Sequence, residues 1–162
     1  MPLLAVAISG CAGNPAPPAA QGPAFDPIAF FEGHTHGEGE LKKLFHQAVY
    51  VSVDSVGRRA GGELVLDQTI REAGKPPSTR QWTIRRLGPN RYTGALTEAI
   101  GPVAGEVSGS RATISYAMRH GLTVRQQLAE QRDGKTVLNR LTVSKLGVQV
   151  ATLSETIKKL AR

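Results

Sequence analysis

Residues 49–71 read Val49-Tyr50-Val51-Ser52-Val53-Asp54-Ser55-Val56-Gly57-Arg58-Arg59-Ala60-Gly61-Gly62-Glu63-Leu64-Val65-Leu66-Asp67-Gln68-Thr69-Ile70-Arg71, and this stretch decides the fold. Val49, Val51 and Val53 alternate with Tyr50, Ser52 and Asp54, and Leu64, Leu66 and Ile70 alternate with Val65, Asp67 and Arg71. A period of two puts alternate side chains on opposite faces, the mark of half-buried antiparallel strands. Gly61-Gly62 between the runs supplies the turn.

The same period recurs in Trp82 with Ile84, in Ile114, Tyr116 and Met118, and in Val137, Asn139, Leu141 and Val143. Turn residues punctuate it: Gly74-Lys75-Pro76-Pro77, Gly88-Pro89-Asn90, Gly101-Pro102, His120-Gly121, Asp133-Gly134 and Leu146-Gly147. Asp133-Gly134 is the clearest hairpin signal. This spacing predicts strands at about 34–45, 47–58, 62–72, 79–87, 91–99, 104–109, 111–119, 122–132, 135–145 and 148–157. The tail from Leu153 reads as a last strand or a short helix, and Val148, Val150, Thr152, Thr156 and Ile157 favour strand. An antiparallel up-and-down meander of nine or ten strands closes most easily into a barrel, because closure removes exposed edges.

Upstream of this domain the apolar run Leu3-Leu4-Ala5-Val6-Ala7-Ile8-Ser9-Gly10 ends at Cys11, the only cysteine of the chain. Ile8-Ser9-Gly10-Cys11 resembles the lipobox of a bacterial lipoprotein. On that reading residues 1–10 are a signal peptide and the mature chain starts at a lipidated Cys11. No Lys or Arg precedes the cysteine, and the run is too short to span a bilayer. The alternative is a frayed apolar terminus with an incidental thiol. With one cysteine, no disulfide and no thiolate metal site is expected. Residues 12–24 hold four prolines and no charge. They read, with Cys11, as a tether (11–24) that is extended and semi-rigid, holding the domain roughly 40 Å from its anchor. The remaining residues, 25–162, suffice for one domain with a sizeable core.

Several groups of residues together suggest a family. Phe25-Asp26-Pro27 with Phe30-Phe31-Glu32-Gly33, Gly37 and Gly39 resembles the opening of the DUF3833 family of bacterial lipoproteins. Arg80-Gln81-Trp82-Thr83-Ile84, Tyr92-Thr93-Gly94-Ala95, the glycines 101, 105 and 109, Tyr116 and Lys145-Leu146-Gly147-Val148 continue the resemblance. The chain departs from the family at Ser110, where asparagine is usual, and at Glu98, where aspartate is usual. The resemblance implies a lipocalin-like barrel, and no defined activity comes with it. Ala12 and Gly13 lack the aspartate that often retains such lipoproteins in the inner membrane, which implies the outer membrane, with the barrel facing the periplasm.

Lipocalin-like barrels enclose room for one small ligand. If the apolar rows face inward, Arg80 and Arg86 share the face of Trp82 and Ile84, and Gln68, Gln126 and Asn139 also turn inward. Such groups need a hydrated or liganded interior, a place at the barrel mouths, or one another. Arg80, Trp82, Tyr92 and Tyr116 are the expected ligand-binding residues, for an amphiphilic or anionic small molecule or lipid. A packed barrel with a protein partner is the structural alternative.

Twenty Lys and Arg against 13 Asp and Glu give a net charge of +7. Between Lys75 and Arg125 lie eight basic residues and two acidic ones, Glu98 and Glu106, a region suited to anionic headgroups or to a solvated basic face. Nucleic acid is not expected for an anchored envelope protein with only one Trp, three Tyr and four Phe. His34, His36, Glu38 and Glu40 fall on one strand face and are the one candidate metal cluster, without a third spaced histidine or aspartate to complete it; a metal-dependent enzyme using His34 and His36 is the further alternative. No nucleophile elbow or P-loop occurs. The sequence therefore predicts a non-catalytic membrane-anchored binding protein with no cofactor and no bound metal.

Overall fold

The computed structural model describes residues 14–161, so Cys11 and the apolar run lie outside the described residues. Ten antiparallel strands follow one another round a closed barrel: β1 (Gly33–Lys43), β2 (Val49–Ala60), β3 (Glu63–Glu72), β4 (Ser78–Gly88), β5 (Arg91–Leu96), β6 (Ala99–Ser108), β7 (Arg111–Met118), β8 (Leu122–Glu130), β9 (Thr136–Lys145) and β10 (Val148–Lys159). Each pairs with its sequence neighbours, and β1 pairs with β10 from Thr35↔Lys159 to Lys43↔Ala151 to close the ring. The tail is thus a strand, as its β-branched residues favour.

The apolar phase faces inward. Leu64, Leu66, Trp82, Val107, Val124, Leu128 and Val137 are all buried. The outer wall carries Glu38, Asp54, Arg58, Asp67 and Arg71 in ion pairs or hydrogen bonds. That is the reverse of a transmembrane barrel, whose outer band is apolar.

Gly101-Pro102 does not form the expected turn. The chain reverses at Thr97–Glu98, and β6 continues through Gly101 and Pro102 with a register shift between Ile100 and Ala104. Proline cannot donate to a ladder, and glycine at φ +75° accepts the kink, so the pair makes a bulge inside a strand.

The alternation pattern also missed a helix, α1 (Pro27–Phe31). Its start is encoded locally: the Asp26 side chain accepts hydrogen bonds from the Ile28 and Ala29 N–H groups at 3.0 and 3.3 Å, and Pro27 stands where no N–H is needed. At its other end Lys159 Nζ donates to the Ala29 and Phe30 carbonyls at 2.6 and 2.9 Å. Phe25, Phe30 and Phe31 are buried and stack edge to face. The helix closes the barrel end at which β1 begins, and we call that the closed end. The turns 44–48, 73–77, 97–98, 119–121 and 146–147 surround the other, open end.

The proline-rich segment is not a free spacer over its described part. Phe25 N donates to Gly109 O at 2.8 Å, Ser110 Oγ to Ala20 O at 2.5 Å, Gln131 Nε2 to Pro18 O at 3.1 Å and Asn14 Nδ2 to Leu141 O at 3.5 Å, and Pro17 is buried. An extended proline-rich chain leaves its carbonyls unpaired, and Ser110 and Gln131 meet two of them, while Phe25 and Asn14 donate from the segment to barrel carbonyls. Residues 14–24 therefore run along the outer wall from the closed end toward the open one.

Glycine at position 57 is set by space. A Cβ there would lie 1.8 Å from the Phe31 carbonyl oxygen, whereas one at Gly88 would meet nothing within 4 Å. Gly57→Ala is expected to lower stability in urea by about 1–3 kcal/mol by unseating α1, with Gly88→Ala within about 0.5 kcal/mol of the parent.

Candidate functional site

Strand alternation places a polar arc on the inner wall. Gln126 comes from β8, Asn139 from β9, Glu155 from β10, Thr35 from β1, Ser55 from β2, Gln68 from β3 and Arg80 from β4. The facing wall of β5 to β7 is apolar, with Leu96, Val103, Ile114 and Tyr116.

Gln68 organises one half of the arc. Its Oε1 accepts from Arg80 Nε at 2.7 Å and from Trp82 Nε1 at 2.8 Å, while its Nε2 donates to Ser55 Oγ at 2.9 Å. Arg80 also pairs with Glu98 at 3.2 Å, and its guanidinium lies 5.6 Å from the Trp82 ring centroid. Trp82 in turn meets Tyr116 edge to face at 5.6 Å. Burial pushes the Tyr116 hydroxyl up to about 12.

Glu155 organises the other half. Its Oε2 accepts from Asn139 Nδ2 at 2.8 Å, and both residues are buried. Burial raises the Glu155 pKa, opposed by the Asn139 bond and by the more distant charges of Arg80 and His36. Glycine at position 37 makes its place: a Cβ there would come within 2.1 Å of Glu155 Oε1. Thr35 Oγ1, Gln126 Oε1 and Asn139 Oδ1 are buried with no hydrogen-bond partner in this structure.

Between these groups lies a cavity of about 40 Å³, lined by Ser55, Gln68, Arg80, Trp82, Gln126 and Glu155 among others. That is room for a few waters, well below the few hundred Å³ that a drug-sized ligand fills. A second, apolar cavity of about 30 Å³ lies toward the closed end, between Trp82, Tyr92 and Val107. Of the four expected ligand-binding residues, Arg80, Trp82 and Tyr116 stand together. Tyr92 lines the second cavity instead, under the Arg86 guanidinium at 4.9 Å. Glu155, Glu98 and Thr35 were not singled out from the sequence. Glu155 shares the inward phase of Leu153 and Ile157, which was the available signal.

The basic third of the chain does not make one face. Arg80 turns inward, but Arg86, expected on the same inner face, is exposed at the closed end beside Asp26 with Arg85, Arg91 and Arg111, and Arg119 sits at the open end. The histidine row is on the outer wall, away from the chamber. His36 Nδ1 lies 2.6 Å from Asp54 Oδ1 and its Nε2 3.5 Å from Glu38, while His34 and Glu40 are exposed. Asp54 also pairs with Arg71. Among the described residues no group of three His, Cys, Asp or Glu is placed to hold a metal ion.

Two solved structures share this barrel. The S-type phycobiliprotein lyase CPES from Guillardia theta is similar with a TM-score of 0.65 at 5% identity, over 83% of this chain and 92% of that one. Rv2717c from M. tuberculosis is similar with a TM-score of 0.62 at 15% identity, over 84% of this chain and 99% of that one. At these identities the likeness shows the fold. It also corrects the expectation of a non-catalytic protein: a lyase is built on this barrel, so a firm non-enzyme reading does not stand. The physical reason is that a walled interior can hold reacting groups as well as a passive ligand, and a buried carboxyl such as Glu155 is a group that acid–base chemistry uses. No curated protein matches the sequence. Among the described residues no helix is long and apolar enough to cross a membrane. The model of DUF3833, a protein family of unknown function, matches residues 5–159, and the chain belongs to that family.

Two titrations test this geometry. The Asp54 hydrogen bond raises the His36 pKa above 6.5 and lowers that of Asp54. The pair therefore stabilises fully below 6.5 once Asp54 is ionised, and is lost as pH rises through the raised His36 value. Imidazole NMR is expected to show His36 titrating above 6.5 and falling back toward it in Asp54→Asn. For Glu155 the sign is opposite to that of an ion-paired acid: the raised pKa costs stability as pH rises above 4.5. The melting temperature of Glu155→Gln is expected to match the parent near pH 4 and to exceed it increasingly toward neutrality.

Proposed function

We propose that this DUF3833 protein binds the polar or anionic head of an amphiphilic small molecule or lipid inside its barrel, and does so as a lipoprotein anchored through Cys11. On this reading residues 1–10 are a signal peptide and 11–24 the tether, and the barrel from residue 25 faces the periplasm from the outer membrane. The observation that carries the ligand is the buried, unpartnered Gln126 Oε1 on the chamber wall, with Thr35 Oγ1 and Asn139 Oδ1 also unpartnered on the same polar arc. Each costs about 1–3 kcal/mol unless something meets it, and a polar group entering the chamber would meet Gln126 Oε1, which lines it.

The wall suits an anionic head. Arg80, whose side chain keeps 19% of its surface, offers donors to an anion, and burial, by raising the Glu155 pKa, works against a repelling charge there. Toward the open end the inner wall turns apolar through Leu41, Ile70, Met118, Val143 and Leu153, all only partly buried. A head at the polar arc would lay its chain along this rim. Entry needs Arg80 and Trp82 to swing aside, because the chamber is only about 40 Å³ as it stands. That small volume favours one other reading, a packed barrel whose surface serves a protein partner.

Native mass spectrometry of the full chain carrying Cys11→Ser, purified from an envelope-containing host, separates them. A co-purifying lipid-sized mass, lost in Arg80→Ala, is the expected result. A clean apo mass would overturn the ligand reading and leave the packed barrel.

A further inference from the structure

We propose that the open end of the barrel docks on an anionic lipid bilayer, with Phe45 and Leu146 as the side chains that enter the headgroup region. This deepens the proposed membrane location, and the test below separates the two by removing the acylation site.

Phe45 and Leu146 are the most exposed of the large apolar residues described, at 95% and 90%. Leu44, Ile100 and Val148 are exposed at the same end. The two tips are neighbours: Leu44 N donates to Val150 O at 2.9 Å, and Val148 pairs with Lys145 across the Leu146-Gly147 turn. Apolar side chains held side by side above the rest of a surface are what an interfacial anchor needs.

Backbone conformation adds a second observation. Phe45 has φ 63° and Leu146 φ 49°. The two-residue Leu146-Gly147 turn, with positive φ at both positions, ordinarily takes Asn, Asp or Gly first. A left-handed backbone is disfavoured for leucine, whose Cβ then crowds the following carbonyl oxygen. Two bulky apolar residues in this conformation, at adjacent tips, are retained against local preference. Strain of that kind persists where function uses it.

Charge and chain path choose the occupant. Lys42, Arg119 and Lys145 are exposed around these tips and make no ion pair among the described residues. Two acidic residues of the same rim are engaged, Glu72 between Lys43 and Lys75 and Glu98 with Arg80, while Glu40 on the outer wall of β1 stays exposed. Basic side chains this close to an anionic surface contribute about 1 kcal/mol each, or roughly fivefold in binding. Asn14 and Pro15 lie in the groove formed with Lys42, Lys43, Leu44 and Phe45. Cys11 is three residues upstream of Asn14, within roughly 11 Å by chain length. The described chain thus begins, at Asn14, beside the same rim. A bilayer under this end would receive the Cys11 lipid, the two tips and the cations together, and would face the barrel mouth.

The test uses the full chain with Cys11→Ser, so that no acyl chain contributes, and sedimentation with phosphatidylcholine vesicles with and without phosphatidylglycerol. Binding is expected with phosphatidylglycerol and to be at least about tenfold weaker without it. Phe45→Ser with Leu146→Ser is expected to weaken it by about tenfold or more. Leu87→Ser with Leu160→Ser, exposed at the closed end, is expected to leave it unchanged. Leu146→Asn alone is expected to weaken vesicle binding while raising the melting temperature by about 2–4 °C, a combination that a purely structural residue would not give. Equal binding by the Phe45/Leu146 variant overturns the proposal. So does an absence of binding by the Cys11→Ser chain; if the acylated chain still binds, the Cys11 reading survives. A dimer in sedimentation velocity, dissociated by the same tip substitutions and indifferent to vesicles, overturns it in favour of a second copy covering the tips.

Discussion

Pairing of β1 with β10 is the constraint on which the rest of the molecule depends. Nine residue pairs, from Thr35↔Lys159 to Lys43↔Ala151, join the two ends of a meander that would otherwise leave two open edges. The seam is possible because β1 is glycine-rich where the chains come closest. A Cβ on Gly39 would lie 2.1 Å from the Ser154 carbonyl oxygen, and one on Gly37 would strike Glu155. Closure also makes an inside, and the polar arc from β8 to β4 runs across this seam.

The interior is divided by chemistry as well as by strand. Toward the closed end, Phe25, Phe30, Phe31, Leu64, Leu128 and Val137 form a dry core under α1. Past Trp82 the wall turns polar, with hydrogen bonds converging on Gln68 and Glu155 while three buried atoms go without partners. A protein stabilised only by its core would gain from apolar replacements there, because half-satisfied polar networks in low dielectric are costly. Stability and occupancy therefore pull against each other at this band. The same tension recurs at the open end, where Phe45 and Leu146 hold positive φ that a smaller residue would accept more readily.

The two ends of the barrel are consequently unlike. The closed end is tied by Asp26 to Arg86, Glu32 to Arg59 and Lys159 to the α1 carbonyls. The open end carries apolar tips, uncompensated cations and, beside them, Asn14 and Pro15. An amphiphile reaching the polar band from that side would pass the rim that we place on the bilayer, so chamber and rim would serve one route.

Alternation of apolar and polar residues determined, by itself, the strand class and the inward phase of Arg80, Trp82, Tyr116, Gln68, Gln126 and Asn139, and narrowed the strands to nine or ten, of which the structure has ten. Side-chain direction in a strand is local, so a period of two carries it without knowledge of the partners. The start of α1 is encoded locally in Asp26-Pro27, but the alternation pattern passed over it, because five residues are too short to show a helical period. Only the tertiary structure decided that Gly101-Pro102 is a bulge and not a turn, since both use the same residues and differ in what lies across the ladder. It alone put Tyr92 in a separate cavity, because residues sharing a phase can stand at different depths of one barrel. Likewise the proline-rich segment reads as a spacer until Ser110 and Gln131, about 90 and 110 residues later, are brought to its carbonyls. Glu155 without a full ionic partner, and Phe45 beside Leu146, are products of closure: the residues concerned are far apart in the chain and meet only when β10 returns to β1.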